Sequence, residues 1–305
     1  VIGYLLRRIA IIVPLWIAVL FVAFMLIHAI PGGPFDTGAI RSPEATAFLE
    51  ERYNLDKPVW QQFGLYLGGV AQGDLGESMV RRGVDVTDAL SDRIPVSLVL
   101  GLCGLAVAVV VGVPVGIVAA VRANRILDRI LMVSATAAYA IPSFVLALLL
   151  MLTFGLRLGW FPLGGWGSPS QVVLPALALG LPWSGLLARM TRASMLDVLG
   201  DDHIRTARAK GAGPVSVVLG HAFPNALIPL TTVVAVLAAE LIVGSLVVEQ
   251  IFGIPGVGQL MVTSVLGSDY TMTLGVIVFY ATTIFLANLA TDVGYAIIDP
   301  RVRLS

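Results

Sequence analysis

Two stretches of the chain run without a charged residue for long enough to decide its class: Leu98–Val121, 24 residues, and Ile130–Leu156, 27 residues. A hydrocarbon core about 30 Å thick needs about 20 helical residues to cross, so each block can span a bilayer. Hydrocarbon gives an unpaired N–H or C=O no partner, which restricts spanning structures to helices and closed barrels. The blocks lack the two-residue alternation of barrel strands and are read as helices. Composition agrees, with 57% hydrophobic and 12% charged residues over 305 positions, against roughly a quarter charged in soluble domains.

The same criterion predicts an all-α polytopic membrane protein with six spans: Ile9–Ile30, Leu98–Val121, Ile130–Leu156, Gln171–Ala188, Ala226–Val248 and Thr271–Ile298. The fourth carries Pro175, Gly180, Pro182 and Gly185, which predicts a kink whose freed carbonyls are satisfied inside the bundle. The first follows Arg7 and Arg8. Its apolar run is longer than a signal-peptide core and no small-residue cleavage site follows, so it is read as a retained helix.

Six spans put both termini on one side. Arg7, Arg8, Arg122, Arg125, Arg129, Arg189, Arg192, Arg205, Arg208, Lys210, Arg301 and Arg303 fall on that side, while the opposite short loops offer Arg157 alone. Long translocated loops are largely exempt from the positive-inside rule, so the basic residues of 31–97 do not offset this, and both termini are expected in the cytoplasm. Net charge is zero, which gives no global footprint for nucleic acid. Cys103 is the one cysteine, so no intrachain disulfide or cysteine-cluster metal site exists.

Two loops carry information. The external segment 31–97 opens with Pro31-Gly32-Gly33-Pro34, and Ser42-Pro43-Glu44 has the order of a helix start. Pro58 opens a second short helix, closed by Gly73-Asp74-Leu75-Gly76. Trp60, Phe63, Leu65, Tyr66 and Leu67 are too apolar for a solvated linker. They fit packing on the bundle or the membrane interface, and equally a platform for an extracytoplasmic partner. The loop 189–224 is basic and punctuated: Asp201 or Asp202 is placed to cap a helix over Ile204–Lys210, Gly211 to end it in the left-handed conformation, and Pro214 to start a second helix running toward Pro224.

Gly211, nine residues, then His221-Ala222-Phe223-Pro224 resembles the "EAA loop" of bacterial ABC-importer permeases, whose pattern is Glu-Ala-Ala, three residues, Gly, nine residues, Ile-x-Leu-Pro. The alignment sets Arg205-Thr206-Ala207 on the Glu-Ala-Ala position, with Arg205, His221 and Phe223 departing from it. Arg-Thr-Ala-Arg-Ala-Lys-Gly and the following Asn225-Ala226-Leu227-Ile228-Pro229 are similar to the dipeptide/oligopeptide (and nickel) branch, first-permease type. Tyr4-Leu5-Leu6-Arg7-Arg8, Gly73-Asp74-Leu75-Gly76, Glu249 through Phe252 with Pro255, Gly256 and Gly258, and Asp299-Pro300-Arg301-Val302-Arg303 match that branch in order.

The resemblance implies a transmembrane helix over 1–30, an external region 31–97, a permease core 98–298 and a cytoplasmic tail 299–305, in a bacterial inner membrane. It also implies partners: a second homologous permease, two ATP-binding subunits that hold the ATP and Mg, and an extracytoplasmic substrate-binding protein. Arg205, Thr206, Ala207, Arg208, Ala209, Lys210, Gly211 and Pro224 are then the residues that dock an ATPase subunit. The expected cargo is a peptide or similar small solute.

Polar and ionisable groups in a membrane are costly and mark candidate sites: Glu240, Glu249, Asn288 and Asp292 fit a solute path, while Glu240 and Asp292 also fit structural partners in the bundle or interfacial water. Neither Lys57-Pro58 nor Lys210-Gly211 completes a P-loop, and His28, His203 and His221 form no zinc pair. The chain is therefore expected to be no enzyme and to bind no cofactor of its own. A secondary transporter or channel is the alternative, though no inverted repeat favours it. An intramembrane protease would need a catalytic constellation at one depth, and the histidine within a span, His28, lies at its outer edge.

Overall fold

The computed structural model describes residues 2–29, 35, 48 and 51–298, with side chains for 7–29, 35, 48 and 51–290. Pro31–Pro34, Ser42-Pro43-Glu44, the carboxylate of Asp292 and Asp299–Arg303 lie outside the described residues. Among those described, the regular structure is helical apart from one isolated bridge, Glu77 to Asp85. The helices are α1 (Ile2–Ala29), α2 (Val59–Ala71), α3 (Val86–Val121), α4 (Ile126–Ala140), α5 (Ser143–Leu150, continued as a π-helix over Met151–Arg157), α6 (Pro169–Leu199) and α7 (Asp202–Ala209). They continue with α8 (Pro214–Val243), α9 (Leu246–Phe252), α10 (Val257–Leu266) and α11 (Tyr270–Ile298).

Five helices are long and apolar enough to cross a membrane (α1, α3, α6, α8 and α11), and interrupted pairs raise the number to as many as seven. The span expected as one rod over 130–156 is one of those pairs: α4 and α5 meet at a 98° bend. Pro142 has no N–H to donate and forces Ile141 out of the helical region, to φ −80° and ψ 121°. Hydropathy cannot register this, because proline and its neighbours are apolar enough to pass.

Three other boundaries move. The external segment was expected to reach Ser97, yet α3 starts at Val86, where Asp85 Oδ1 accepts from the backbone N–H groups of Thr87 and Asp88. At 36 residues this helix is about 54 Å long, well beyond the hydrocarbon thickness. The fourth span extends from Gln171–Ala188 to α6, a single helix through both prolines, begun by a Ser168/Gln171 capping box with Pro169 at its first position. Arg189 through Leu199, assigned above to a loop, are helical. Finally, the helix begun at Pro214 does not stop near Pro224 but continues to Val243. A π turn over Val217–Ala222 precedes Pro224 and widens the ladder where the proline ring would strike the carbonyl one α-turn back.

Residues 1–97 and 255–286 form one compact unit, and 98–254 with 287–305 a second. In the first, Val86, Leu90, Val257, Leu260, Met272 and Val276 make one buried cluster. Phe24, Ile27, Tyr270 and Leu274 make another. Asp269 organises the start of α11: it accepts from the Met79 and Met272 N–H groups and from the Ser78 hydroxyl. The aromatic residues of the external segment divide. Phe63 sits edge-on to Phe21 and Phe24, and Tyr66 packs beside Phe24, whereas Trp60 is 71% exposed.

The second unit is built around α6, which packs against α4, α5 and α8. Its glycines set the approach. A β-carbon on Gly180 would overlap the Gly104 carbonyl oxygen, and one on Gly185 the Ala135 oxygen. From the α3 side, a β-carbon on Gly112 would lie 2.6 Å from Ser184 O. Lipid gives no hydrophobic reward for helix association, so backbone-to-backbone packing of this kind carries much of the cohesion.

Candidate functional site

The basic loop is a folded object within the second unit. α6 ends at Leu199, and Asp201 supplies the extended residue from which α7 starts, although its side chain makes no cap bond. The end of α7 is fully bonded instead. Gly211, at φ +83°, donates to Arg208 O, and Ala212 donates to Ala207 O. These are the two bonds of a Schellman closure, with glycine in the left-handed position. Gly213 and Pro214 then begin α8 directly.

One residue anchors this helix. Ile204 is fully buried, in a cluster with Ala120, Met195, Val217, Ala222 and Ala226. The rest of α7 faces outward: Arg205, Thr206, Arg208, Ala209 and Lys210 are exposed, and Ala207 is half-buried. Arg205 NH1 lies 3.3 Å from Asp202 Oδ1 across a solvated surface, a pairing worth at most about 1 kcal/mol. Burial of one isoleucine contributes about 1.5–3 kcal/mol. The helix is thus held by Ile204 and its closing bonds, and its basic side chains face outward. Pro224 is exposed, on the first turn after the π segment.

The corner between α3 and α4 is tied to α6 beside this loop. Arg192 Nε and NH2 donate to Asp128 Oδ1 and Oδ2 at 2.6 and 2.8 Å, and the Asn124 N–H donates to Asp128 Oδ2 at 2.8 Å. Asp128 is 4% exposed, so this bidentate pair is sheltered and locks the corner. Ser194 Oγ donates to Ala226 O, and Asn225 Nδ2 bonds His221 O and lies 3.2 Å from His203 Nε2. Neither Ile204 nor Asp128 was singled out from sequence. An isoleucine inside a polar eight-residue helix and an acid among arginines were the available signals.

The expected path residues lie in different surroundings. Glu240 and Asn288 are exposed on α8 and α11. Glu249 is fully buried, and its carboxylate accepts from Ser245 Oγ on the preceding turn. A carboxylate inside the fold needs such a partner. Among the described residues there is no cluster of three or more metal-ligating side chains.

Residues 112–304 match the family model described as "Binding-protein-dependent transport system inner membrane component". The dipeptide transport system permease protein DppB of Bacillus subtilis is 39% identical over 281 residues, covering 92% of this chain and 91% of that one. The oligopeptide transport system permease protein OppB of Haemophilus influenzae is 38% identical over 92% of both chains. The glutathione transport system permease protein GsiC of Escherichia coli (strain CFT073) is 39% identical over 99% of both. Among solved structures, an inward-facing form of the MetNI methionine ABC transporter superposes with a TM-score of 0.58 at 22% identity, covering 68% of this chain and 95% of that one. At that identity the likeness bears on fold alone.

Proposed function

This chain belongs to the binding-protein-dependent transport system inner membrane components, and from that membership we propose that it moves peptides across the cytoplasmic membrane, driven through α7 by a separate ATPase subunit. It is a membrane-spanning permease subunit of an ABC importer, and ATP hydrolysis in such importers resides in other subunits. The relatives named for dipeptides, oligopeptides and glutathione support the peptide reading. All three solutes are short, zwitterionic and carboxylate-bearing.

One observation carries the coupling reading: a Schellman-closed helix pinned by one buried isoleucine, with its basic face left open. A helix held at one face and closed at its end transmits displacement, and a groove on a partner needs only the other face. Arg205, Thr206, Arg208 and Lys210 make the polar contacts, Ala207 and Ala209 permit close approach, and Pro224 starts the transmembrane part of α8. ATPase closure then rocks the second unit between inward- and outward-open states, with α4–α5 counted as one bent span among six. A second permease and an extracytoplasmic binding protein complete the assembly. The test is reconstitution in proteoliposomes. ATP-driven peptide uptake is expected only when the second permease, the ATPase subunits and the binding protein are all present. ATP hydrolysis by the rigorously purified chain would sink the assignment, and so would solute flux through it without ATP.

Orientation gives a further expected outcome. The basic residues at 122–129 and 189–210 support a cytoplasmic α7 and an external Gly73–Asp85. Ser78 is buried, so it makes a poor labelling site, whereas Arg82 and Ser216 are exposed. In a Cys103→Ala background, Arg82→Cys is expected to react with an impermeant thiol reagent in intact spheroplasts, and Ser216→Cys only after lysis. The reverse pattern would invert the topology.

A further inference from the structure

Arg189 sits one turn inside the Asp128–Arg192 pair on α6, and its side chain packs against an aromatic ring. Near a membrane face a guanidinium ordinarily extends toward water. The guanidinium carbon of Arg189 instead lies 5.3 Å from the centroid of the Tyr139 ring. Tyr139 belongs to the part of α4 that crosses α6 at Gly185, because a β-carbon on Gly185 would lie 3.1 Å from Tyr139 N. Arg189 is four residues, about 6 Å, farther along α6. Its charge therefore lies against the aromatic face of α4. Trp183 closes the cluster, with its ring centroid 5.8 Å from that of Tyr139 in a T-shaped arrangement. Arg189 Nε is buried and has no hydrogen-bond partner among the described residues.

The group is made of donors: a guanidinium, an indole N–H and a phenol O–H. The carbonyl end of α4, reached at Ala140, and the Tyr139 ring face both favour a retained positive charge at this point. Neither occupies the guanidinium N–H groups. Just past Tyr139 the span breaks at Ile141-Pro142, and Tyr139 itself is 42% exposed. Broken helices within a membrane are tolerated where they line a cavity or are buried in protein.

We propose that Arg189, framed by Tyr139 and Trp183 at the α4–α5 break, is a station for the C-terminal carboxylate of the transported peptide. The proposal rests on the peptide-import reading given above. A planar guanidinium matches a carboxylate with two parallel N–H···O bonds, and aromatic walls exclude the water that would weaken them. The station distinguishes a peptide acid from a neutral solute of the same size without contacting its side chains, which suits a carrier of varied peptides.

The test compares uptake of one labelled tripeptide with that of its C-terminal amide, using the complete complex and one binding protein throughout. With Arg189→Gln the acid-to-amide uptake ratio is expected to fall about tenfold, as loss of one charge-assisted contact implies. Arg189→Lys, which keeps the charge without the fork, is expected to lower it less, about threefold. A merely structural arginine would reduce acid and amide uptake together, leaving the ratio unchanged, and that result overturns the station. Should Arg189→Gln fail to co-purify with its partners, Tyr139→Leu removes the ring beside the charge and is read on the same ratio. A fall of about threefold supports the station, and no change overturns it. A wild-type complex that carries neither peptide fails the import reading instead.

Discussion

Gly185→Leu is expected to leave almost no folded protein in the membrane. Even the first carbon of the new side chain would overlap the Ala135 carbonyl oxygen and lie 3.1 Å from Tyr139 N. Both obstacles are backbone of α4, so no rotamer relieves the clash and the two helices must separate. Overpacking a dense site costs about 1–3 kcal/mol when side chains can shift, and a backbone obstacle puts this substitution above that range. A domain stable by about 5–15 kcal/mol has little to spare. Separation also removes the close contact on which helix association in lipid depends. Abundance in the membrane fraction, read by immunoblot, is expected to drop at least about tenfold, since 1.4 kcal/mol already corresponds to one decade. Gly213→Ala is the matched control: a β-carbon there meets nothing within 4 Å and φ is −66°. Near-normal amounts of Gly185→Leu would mean that α4 and α6 do not meet as described.

Gly211→Val is expected to do the opposite, sparing abundance and abolishing transport. Nothing lies within 4 Å of a β-carbon at this position, so the cost is confined to the backbone at φ +83°. A left-handed conformation costs an ordinary residue about 1–2 kcal/mol, and branching at the β-carbon adds to that. The chain escapes the cost by rotating out of it, which breaks the bonds from Gly211 to Arg208 and from Ala212 to Ala207. α7 then leaves its heading although every span is intact. Uptake by the reconstituted complex is expected to fall about tenfold or more, with weaker co-purification of the ATPase subunits. Gly211→Asn, which tolerates the left-handed region, is expected to restore most of both. Full uptake and full co-purification with valine would reduce the loop to a connector.

Where the membrane helices lie was legible in the sequence because charge-free length is a direct physical requirement. Their ends were less so. Asp88, Asp92 and Arg93 made the start of α3 look like loop, since hydropathy reports the solvent around a helix and not the helix itself. The break at Pro142 was hidden for the opposite reason, in that everything around it is apolar. In the basic loop, Gly211 was readable because few residues take its conformation, and its neighbours followed from spacing. Ile204 and Asp128 were not, because each matters through a partner distant in sequence. Arg189 illustrates a different blindness. Counted among positive-inside charges, it gave no sign that its guanidinium lies over Tyr139.

The pairing of Asp128 with Arg192 has a consequence in time. The partners are 64 residues apart, so the acid leaves the ribosome well before the base that neutralises it. At about 5–20 residues per second that interval is roughly 3–13 s. Through it the carboxylate has Arg122, Arg125 and Arg129 near it in sequence but not its bidentate partner, and Asn124 has it as acceptor without the fork that steadies it. The corner cannot settle until α6 has followed it to the membrane. The last turns of α6, next to α7, are thus also what completes a piece of architecture made several seconds earlier.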